Sequence, residues 1–245
     1  MGIINIGGDK MKKEVFFDEK NISDFDLNRI NNVSIFSSFN QNELILLLKS
    51  IDAKILYTEK DDVIFHEGDI FPFMCLLMAG EITLSKIDEY GNRNIIDIVK
   101  ESHLFAEVFS FTSSKKSPVT ATSNGKVSIL IVDTDKLLSP SIDRPEVIQD
   151  KYILISKLLE IFADKNLILL SKIEVLSRRN TRDKILHFLE LEKEKNHTNI
   201  FNIPFSRKDM ADFLGVDRSA LSRELSKLKD EKIIDFEKNT FKLLK

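Results

Sequence analysis

The sequence predicts an α+β fold in three parts: a β-roll of the jelly-roll (double-stranded β-helix) kind, one long helix, and a C-terminal helix-turn-helix followed by a hairpin wing. Three patterns predict it. Residues 54–132 break into short β-branched runs with a glycine between them, at the spacing of about eight to twelve residues expected of an all-β roll or barrel. Residues 146–176 carry apolar side chains alternately four and three apart, which is a helical period. Residues 206–229 set a small residue, a glycine and a leucine where two helices meet at a sharp turn. A chain of 245 residues favours two domains over one.

Taken in order, residues 1–20 hold three of the eight glycines with mixed charge and are expected to be a poorly ordered lead-in. From Ile22 to Ile51 the apolar residues fall at helical spacing (Leu44, Leu47, Leu48, Ile51), and Asn40 to Glu43 offers an N-cap with an acid in the first turn. Strands are expected at Lys54–Tyr57, Val63–Phe65, Phe73–Met78, Glu81–Ile87, Asn94–Val99 and Val127–Val132. Glu89-Tyr90-Gly91-Asn92 reads as a hairpin turn, since Gly91 and Asn92 tolerate positive φ.

The long helix has a seam made of Ile148, Tyr152, Ile155, Leu159, Phe162, Asn166, Leu169, Ile173 and Leu176. A second stripe, Leu154, Leu158, Ile161, Ile168 and Val175, lies on another face. Two apolar faces need two neighbours. The economical pair is the chain's own β-domain and a second copy of the chain, so a homodimer is expected. One polar seam member, Asn166, suits this, because a buried mispaired Asn lacks a hydrogen-bond partner and so fixes register.

After Leu176 comes a basic break, then a short helix (Ile185, Leu186, Phe188, Leu189, Leu191), a charged loop over Lys193–Asn199, and an extended piece over Asn199–Ile203 ended by Pro204. Ser206 and Asp209 form a capping box that starts a helix over Arg207–Leu214. Gly215 sits where that helix must stop and turn, and Val216 plugs the angle. Asp217 caps a second helix whose apolar face is Leu221, Leu225 and Leu228 and whose other face is Arg218, Ser219, Ser222 and Arg223. Two apolar runs flanking Lys238-Asn239 read as a hairpin wing. Such a second helix enters the major groove with its N-terminal polar residues at base edges. Charge agrees. The net charge of −3 hides 16 Lys and Arg against 12 Asp and Glu over residues 177–245, and a basic tail on an acidic body suits a polyanion.

Several classes are disfavoured. The most apolar run, Ile70–Gly80, is far short of the ~18–20 residues of a membrane span, so no membrane partner is expected. No basic-then-apolar leader opens the chain, and Cys75 stands alone, which suits a cytoplasmic protein. One cysteine cannot hold an iron–sulfur cluster, and the four histidines are scattered. No metal or other cofactor is expected. Nucleophile–base motifs and glycine-rich phosphate loops are missing from the sequence, so an enzyme is not expected.

These residues together resemble the CRP/FNR superfamily of dimeric transcription regulators over roughly residues 30–245. The matching segments are Phe65-His66-Glu67-Gly68-Asp69, Met78-Ala79-Gly80-Glu81-Ile82, Gly91, Phe105-Ala106-Glu107 and Gly215-Val216-Asp217-Arg218-Ser219-Ala220-Leu221-Ser222-Arg223. The resemblance implies an N-terminal extension over 1–24, a cyclic-nucleotide-binding-like sensor roll over 25–140, a dimerisation helix over 141–176 and a DNA-binding domain over 177–245. It implies a palindromic double-stranded operator and RNA polymerase as partners. It puts Arg218, Ser219 and Arg223 at base-reading positions, Ser206 and Arg207 at phosphates, and Ser222 at either. Ser219 replaces a glutamate common in the family, so the half-site need not be the usual one.

Members that bind a cyclic nucleotide carry Gly-Glu and, ten residues after the Glu, an Arg that neutralises the phosphate. Here Ala106 precedes Glu107, and Ser117-Pro118 stands where Arg is expected. Lys115 and Lys116 are near but lack the planar fork. What remains is a small-molecule effector other than a cyclic nucleotide, a partner protein, or no effector; the first is the expectation, in a cavity between roll and helix lined by Phe73, Leu84, Phe105, Glu107, Phe109, Ile155 and Leu158. A cyclic-nucleotide-responsive regulator or nucleotide-sensing module is the alternative. The effector would act by tilting the DNA domains about the Ser177–Arg179 junction.

Overall fold

The computed structural model describes residues 13–16, 24–139, 144–203 and 205–244. The rest of the expected lead-in, the 140/141 boundary and the Pro204 stop lie outside the described residues. Two compact units divide at Leu158/Leu159, inside the long helix.

In the first unit, β1 (Lys13–Phe16) precedes two helices, α1 (Asp24–Asn31) and α2 (Gln41–Ser50). Asn40 caps α2: its side chain accepts from the Glu43 amide at 3.0 Å, and the Glu43 carboxylate takes the Asn40 amide at 2.8 Å. Leu44, Leu47 and Leu48 are the buried face. Then follow β2 (Lys54–Thr58), β3 (Val63–Phe65), β4 (Phe73–Ala79), β5 (Ile82–Ile87), β6 (Arg93–Val99), β7 (Leu104–Phe105), α3 (Glu107–Ser110), β8 (Thr120–Ser123), β9 (Val127–Asp133), α4 (Thr134–Leu138) and the start of α5 (Pro145–Leu176). The strands form two sheets, ordered β1-β2-β9-β4-β7 and β3-β8-β5-β6. β4 and β9 are buried almost throughout, because both lie inside their sheet with residues packed on both faces.

Part of the expected lead-in is ordered. β1 pairs antiparallel with β2 from Lys13 opposite Tyr57 to Phe16 opposite Lys54, so the sensor sheet reaches into residues 1–24. The β5–β6 turn forms as expected, but only Gly91 takes positive φ there. The Asp88 carboxylate holds it, accepting from the amides of Tyr90 and Asn92 at 2.9 and 2.8 Å.

The second unit starts with the last turns of α5 and continues through α6 (Thr181–Asn196), β10 (Ile200–Asn202), α7 (Arg207–Leu214), α8 (Arg218–Asp230), β11 (Ile234–Glu237) and β12 (Thr240–Leu243). The sheet order is β10-β12-β11, so the wing hairpin carries a third strand. The expected loop over Lys193–Asn199 is mostly helix. Its charged residues are good helix formers, and α6 stops only where His197 turns left-handed at φ 51°. One core joins Val175, Ile185, Leu189, Met210, Leu214, Leu221, Leu225, Leu228 and Phe241.

Candidate nucleic-acid interface and sensor site

The helix-turn-helix is built by local rules. Ser206 Oγ accepts from the Asp209 amide at 3.2 Å and donates to the Asp209 carboxylate at 2.7 Å. That hydroxyl, and then the Ser206 amide donating to the same carboxylate at 3.2 Å, hold the Asp209 carboxyl below its ordinary pKa. α7 ends at Gly215, left-handed at φ 60°, where the Val216 amide reaches the Ala211 carbonyl at 3.0 Å. Lys184 of α6 donates to the last α7 carbonyl, Leu214, at 3.2 Å, satisfying a helix end that would otherwise lack a donor.

Asp217 caps α8, accepting from the amides of Ser219 and Ala220 at 2.7 and 3.1 Å. The Ser219 hydroxyl donates to the same carboxylate at 2.5 Å. Its pKa is lowered first by that hydroxyl, then by the two amides and by Arg223. Leu221, Leu225 and Leu228 are buried, and Arg218, Ser219, Ser222 and Arg223 are exposed together on the other side. The Ser222 hydroxyl donates back to the Arg218 carbonyl at 3.0 Å, and Arg223 Nε to the Ser219 carbonyl at 3.3 Å. Arg218 and Arg223 thus stand exposed in the first two turns of α8, and a guanidinium can offer paired donors to a guanine edge.

Arg207 is different. It is half-buried, with Nη2 donating to the Lys238 carbonyl at 2.6 Å and its plane over the rings of Phe236 and Phe241 at 5.2 and 4.9 Å. Desolvation pulls its pKa down. Sequence reasoning also missed Arg182 on α6, which donates to Glu224 on α8 at 3.3 Å and to Glu231 just past the end of α8 at 3.1 Å. These pairs tie α8 to α6. No local signal in the sequence marks them, since the partners lie 42 and 49 residues away.

The expected effector residues fall in separate places. Phe73, Phe105 and Phe109 join Phe65 and Phe71 in one ring cluster, with centroids 4.6 to 6.5 Å apart, and Leu84 packs against it. Glu107 is buried beside this cluster. Burial, and then the Glu107 charge, push the Cys75 thiol well above its ordinary value. Ile155 instead lines another groove, of about 260 Å³, with Leu137, Leu138, Ile148, Lys151 and Tyr152. Leu158 is buried outside the ring cluster. At the cassette, Ala106 sits left-handed at φ 64° before α3, a conformation that favours glycine. The Ser117 hydroxyl is turned onto the Val119 carbonyl at 2.6 Å, and Lys115 pairs with Asp135.

On α5, Tyr152, Leu159, Leu169 and Ile173 of the seam are 56 to 63% exposed, and Asn166 is exposed with them. Ile148, Ile155 and Phe162 are partly covered. On the second stripe Leu154, Leu158 and Val175 are buried, while Ile168 is 63% exposed. Among the described residues, no helix is long and apolar enough to cross a membrane, and no group of His, Cys, Asp and Glu could hold a metal ion.

Two family models match the chain: the cyclic nucleotide-binding domain over residues 55–139 and the Crp-like helix-turn-helix domain over residues 183–245. The chain belongs to the CRP/FNR superfamily. It is a transcription regulator of that type with a DNA-binding helix-turn-helix. Among curated relatives, it is 26% identical over 207 residues to the transcriptional activator protein FnrL of Cereibacter sphaeroides, covering 80% of this chain and 78% of that one. It is 25% identical over 178 residues to the transcriptional activatory protein AadR of Rhodopseudomonas palustris, covering 71% and 70%. Among solved structures it is similar to DNR from Pseudomonas aeruginosa, with TM-score 0.46 and 19% identity over 91% of this chain and 96% of that one. It is also similar to the catabolite activator protein of Thermus thermophilus, with TM-score 0.40 and 20% identity over 85% and 92%.

Proposed function

We propose that two copies of this regulator, joined along α5, bind a palindromic DNA operator with their α8 helices in successive major grooves ~34 Å apart. The observation that carries the reading is the exposed face of α8, where Arg218, Ser219, Ser222 and Arg223 stand together above a fully buried leucine stripe. Arg218 and Arg223 read bases, Ser219 and Ser222 add short polar contacts, and Ser206 flanks a phosphate. The uncovered seam supports the pairing. Moving a leucine of that exposure out of water contributes about 1–2 kcal/mol, and Leu159, Leu169 and Ile173 occur once per copy. Asn166 sets the register.

The effector in this reading is a small molecule other than a cyclic nucleotide, held by the roll. Three observations disfavour a cyclic phosphate. Ser117 brings no charge and bonds its own loop, Pro118 offers no amide, and Lys115 is already paired with Asp135. The reading places the protein in the cytoplasm, gives RNA polymerase as a further partner, and includes no catalytic step.

Operator selection from random duplexes, followed by anisotropy titration and sedimentation velocity, tests it. The expected result is a dimer, an enriched palindrome, and no calorimetric heat with cyclic nucleotides. Monomers at working concentration with no enriched site would overturn it.

A further inference from the structure

The resemblance puts Arg207 at a phosphate, but the geometry uses its guanidinium inside the domain. One nitrogen donates to the Lys238 carbonyl at 2.6 Å, and the other lies 3.9 Å from the Met210 sulfur. The plane rests over two wing rings, Phe236 and Phe241. Phe236 is on β11, Phe241 on β12, and Lys238 in the turn between them. A single side chain of α7 therefore touches both wing strands and their turn.

That turn needs holding. Lys238 is left-handed at φ 50°, a conformation that a lysine backbone leaves readily when nothing opposes it. The β11–β12 ladder closes it at Glu237 and Thr240, and two further bonds hold it: Arg207 takes the Lys238 carbonyl, and the Ile203 amide, just beyond β10, donates to the Asn239 carbonyl at 2.9 Å. With the turn fixed from both sides, the Lys238 side chain is exposed at its tip.

We propose that Arg207 acts on DNA through the wing: it is a positioning residue that clamps the Glu237–Thr240 turn to α7, so that the Lys238 ammonium, rather than the Arg207 guanidinium, meets the phosphate beside the groove that α8 reads. The role demands a planar fork, which donates to a carbonyl while its face lies on aromatic rings. A lysine carries the same charge, and Lys229 already caps the Phe236 carbonyl while lying over the Phe236 ring, but a point donor lacks the broad fork that meets the Lys238 carbonyl and both wing rings together. Charge and clamp are thereby separable by experiment. The inference rests on the DNA-binding reading above.

Each phosphate contact steepens the dependence of log affinity on log salt by about 0.9, and a dimer has two wings. Lys238→Gln is expected to flatten the slope by about 1.8. Arg207→Gln and Arg207→Lys are expected to flatten it equally, although the second keeps the charge. The double variant R207K/K238Q is expected to lose nothing further, since the two residues serve one contact. Arg207→Lys binding with the parent's slope, losses that add in the double variant, or an unchanged slope in Lys238→Gln would each overturn the proposal.

A DNA-free readout separates its failure from failure of the DNA-binding reading. In Arg207→Lys the Ile203 amide, which holds the turn from the other side, is expected to exchange with solvent at least about tenfold faster as the turn opens to local fluctuation. It is expected to exchange at the parent's rate in Lys238→Gln. Unchanged exchange in Arg207→Lys would overturn the clamp whatever the DNA result. A parent protein that selects no operator, with the exchange effect present, would count against the DNA-binding reading and against the wing's phosphate contact together.

Discussion

The turn between α7 and α8 gives the most direct test of the helix-turn-helix, through Gly215→Ala. Gly215 has φ 60° and ψ 47°, a left-handed conformation that costs an alanine about 1–2 kcal/mol. A Cβ built there would lie 3.1 Å from Leu176 Cδ2. That is tight, but Leu176 is 40% exposed, so its side chain can swing aside and the contact adds only a few tenths of a kcal/mol. Working against both is the loss of glycine's freedom in the unfolded chain, worth about 0.4–1 kcal/mol in alanine's favour. The balance is a net destabilisation of about 1 kcal/mol. Urea titration of the full chain followed by circular dichroism is the assay, with Gly215→Asn beside it. Asparagine visits the left-handed region more readily than alanine, so the asparagine variant is expected to lie between the parent and the alanine variant. An alanine variant as stable as the parent, or an asparagine variant weaker than the alanine one, would refute the conformational argument.

Three other outcomes follow from the same structure. Arg223→Ala is expected to weaken binding to the selected operator by about 1–3 kcal/mol per half-site, the discrimination of one bidentate guanine contact, and to relax preference at one base pair of each half-site; anisotropy against a panel of single-base operator changes checks both. Asp209, Asp217 and Asp235 all have lowered pKa values in the fold, each chiefly through a side-chain hydrogen bond, from Ser206, Ser219 and Lys229 respectively. Their support is therefore fully present above the ordinary carboxylate value of 3.8 and fades as pH falls from there through the folded values. The share of the C-terminal unit's stability that these three aspartates supply should hold down to about pH 4.5 and drop below 4, and that drop should be shallower in Asp209→Asn and Asp217→Asn. Cys75, fully buried with a raised pKa, is expected to resist a thiol reagent at pH 8 in the native protein and to react at once in urea; prompt native-state modification would contradict its place in the β4 core.

The parts that were legible in the sequence are those fixed by neighbours in the chain. The bounds of α7 follow from the Ser206–Asp209 box and Gly215, and the exposed polar face of α8 follows from its own periodicity, because both depend on residues a few positions apart. β7 and β8 went unseen. They are two and four residues long and owe their existence to pairing with β4 and with β3 and β5, which no short pattern announces. β1 likewise exists as a partner of β2. The same divide runs through the site. Arg218 and Arg223 could be placed by spacing, whereas the side-chain engagement of Arg207 depends on a wing turn 31 residues later. A family resemblance assigns a residue to a position in the fold; what its side chain touches depends on neighbours the motif does not contain.

The junction between α5 and α6 bears directly on the tilt expected about Ser177–Arg179. A tilt of the DNA-binding domain about Ser177–Arg179 would require the two flanking helices to part, and within the C-terminal unit they are locked together. Val175 is fully buried in the core with Ile185 and Leu214. Lys172 Nζ lies 5.5 Å over the Phe213 ring, and His187 Nε2 is 3.5 Å from the Glu174 carboxylate. The final turns of α5 therefore belong to the core of the helix-turn-helix unit, and in the proposed reading a tilt of the DNA-binding domains would be taken up N-terminal to Lys172. Val175→Ala tests the lock. It removes two buried carbons at about 0.8 kcal/mol each and leaves a cavity with a further penalty, so a loss of about 2 kcal/mol in the urea stability of the C-terminal unit is expected. If the variant were as stable as the parent, the last turn of α5 would carry no weight in that core, and the Ser177–Arg179 junction would again be free to act as the hinge.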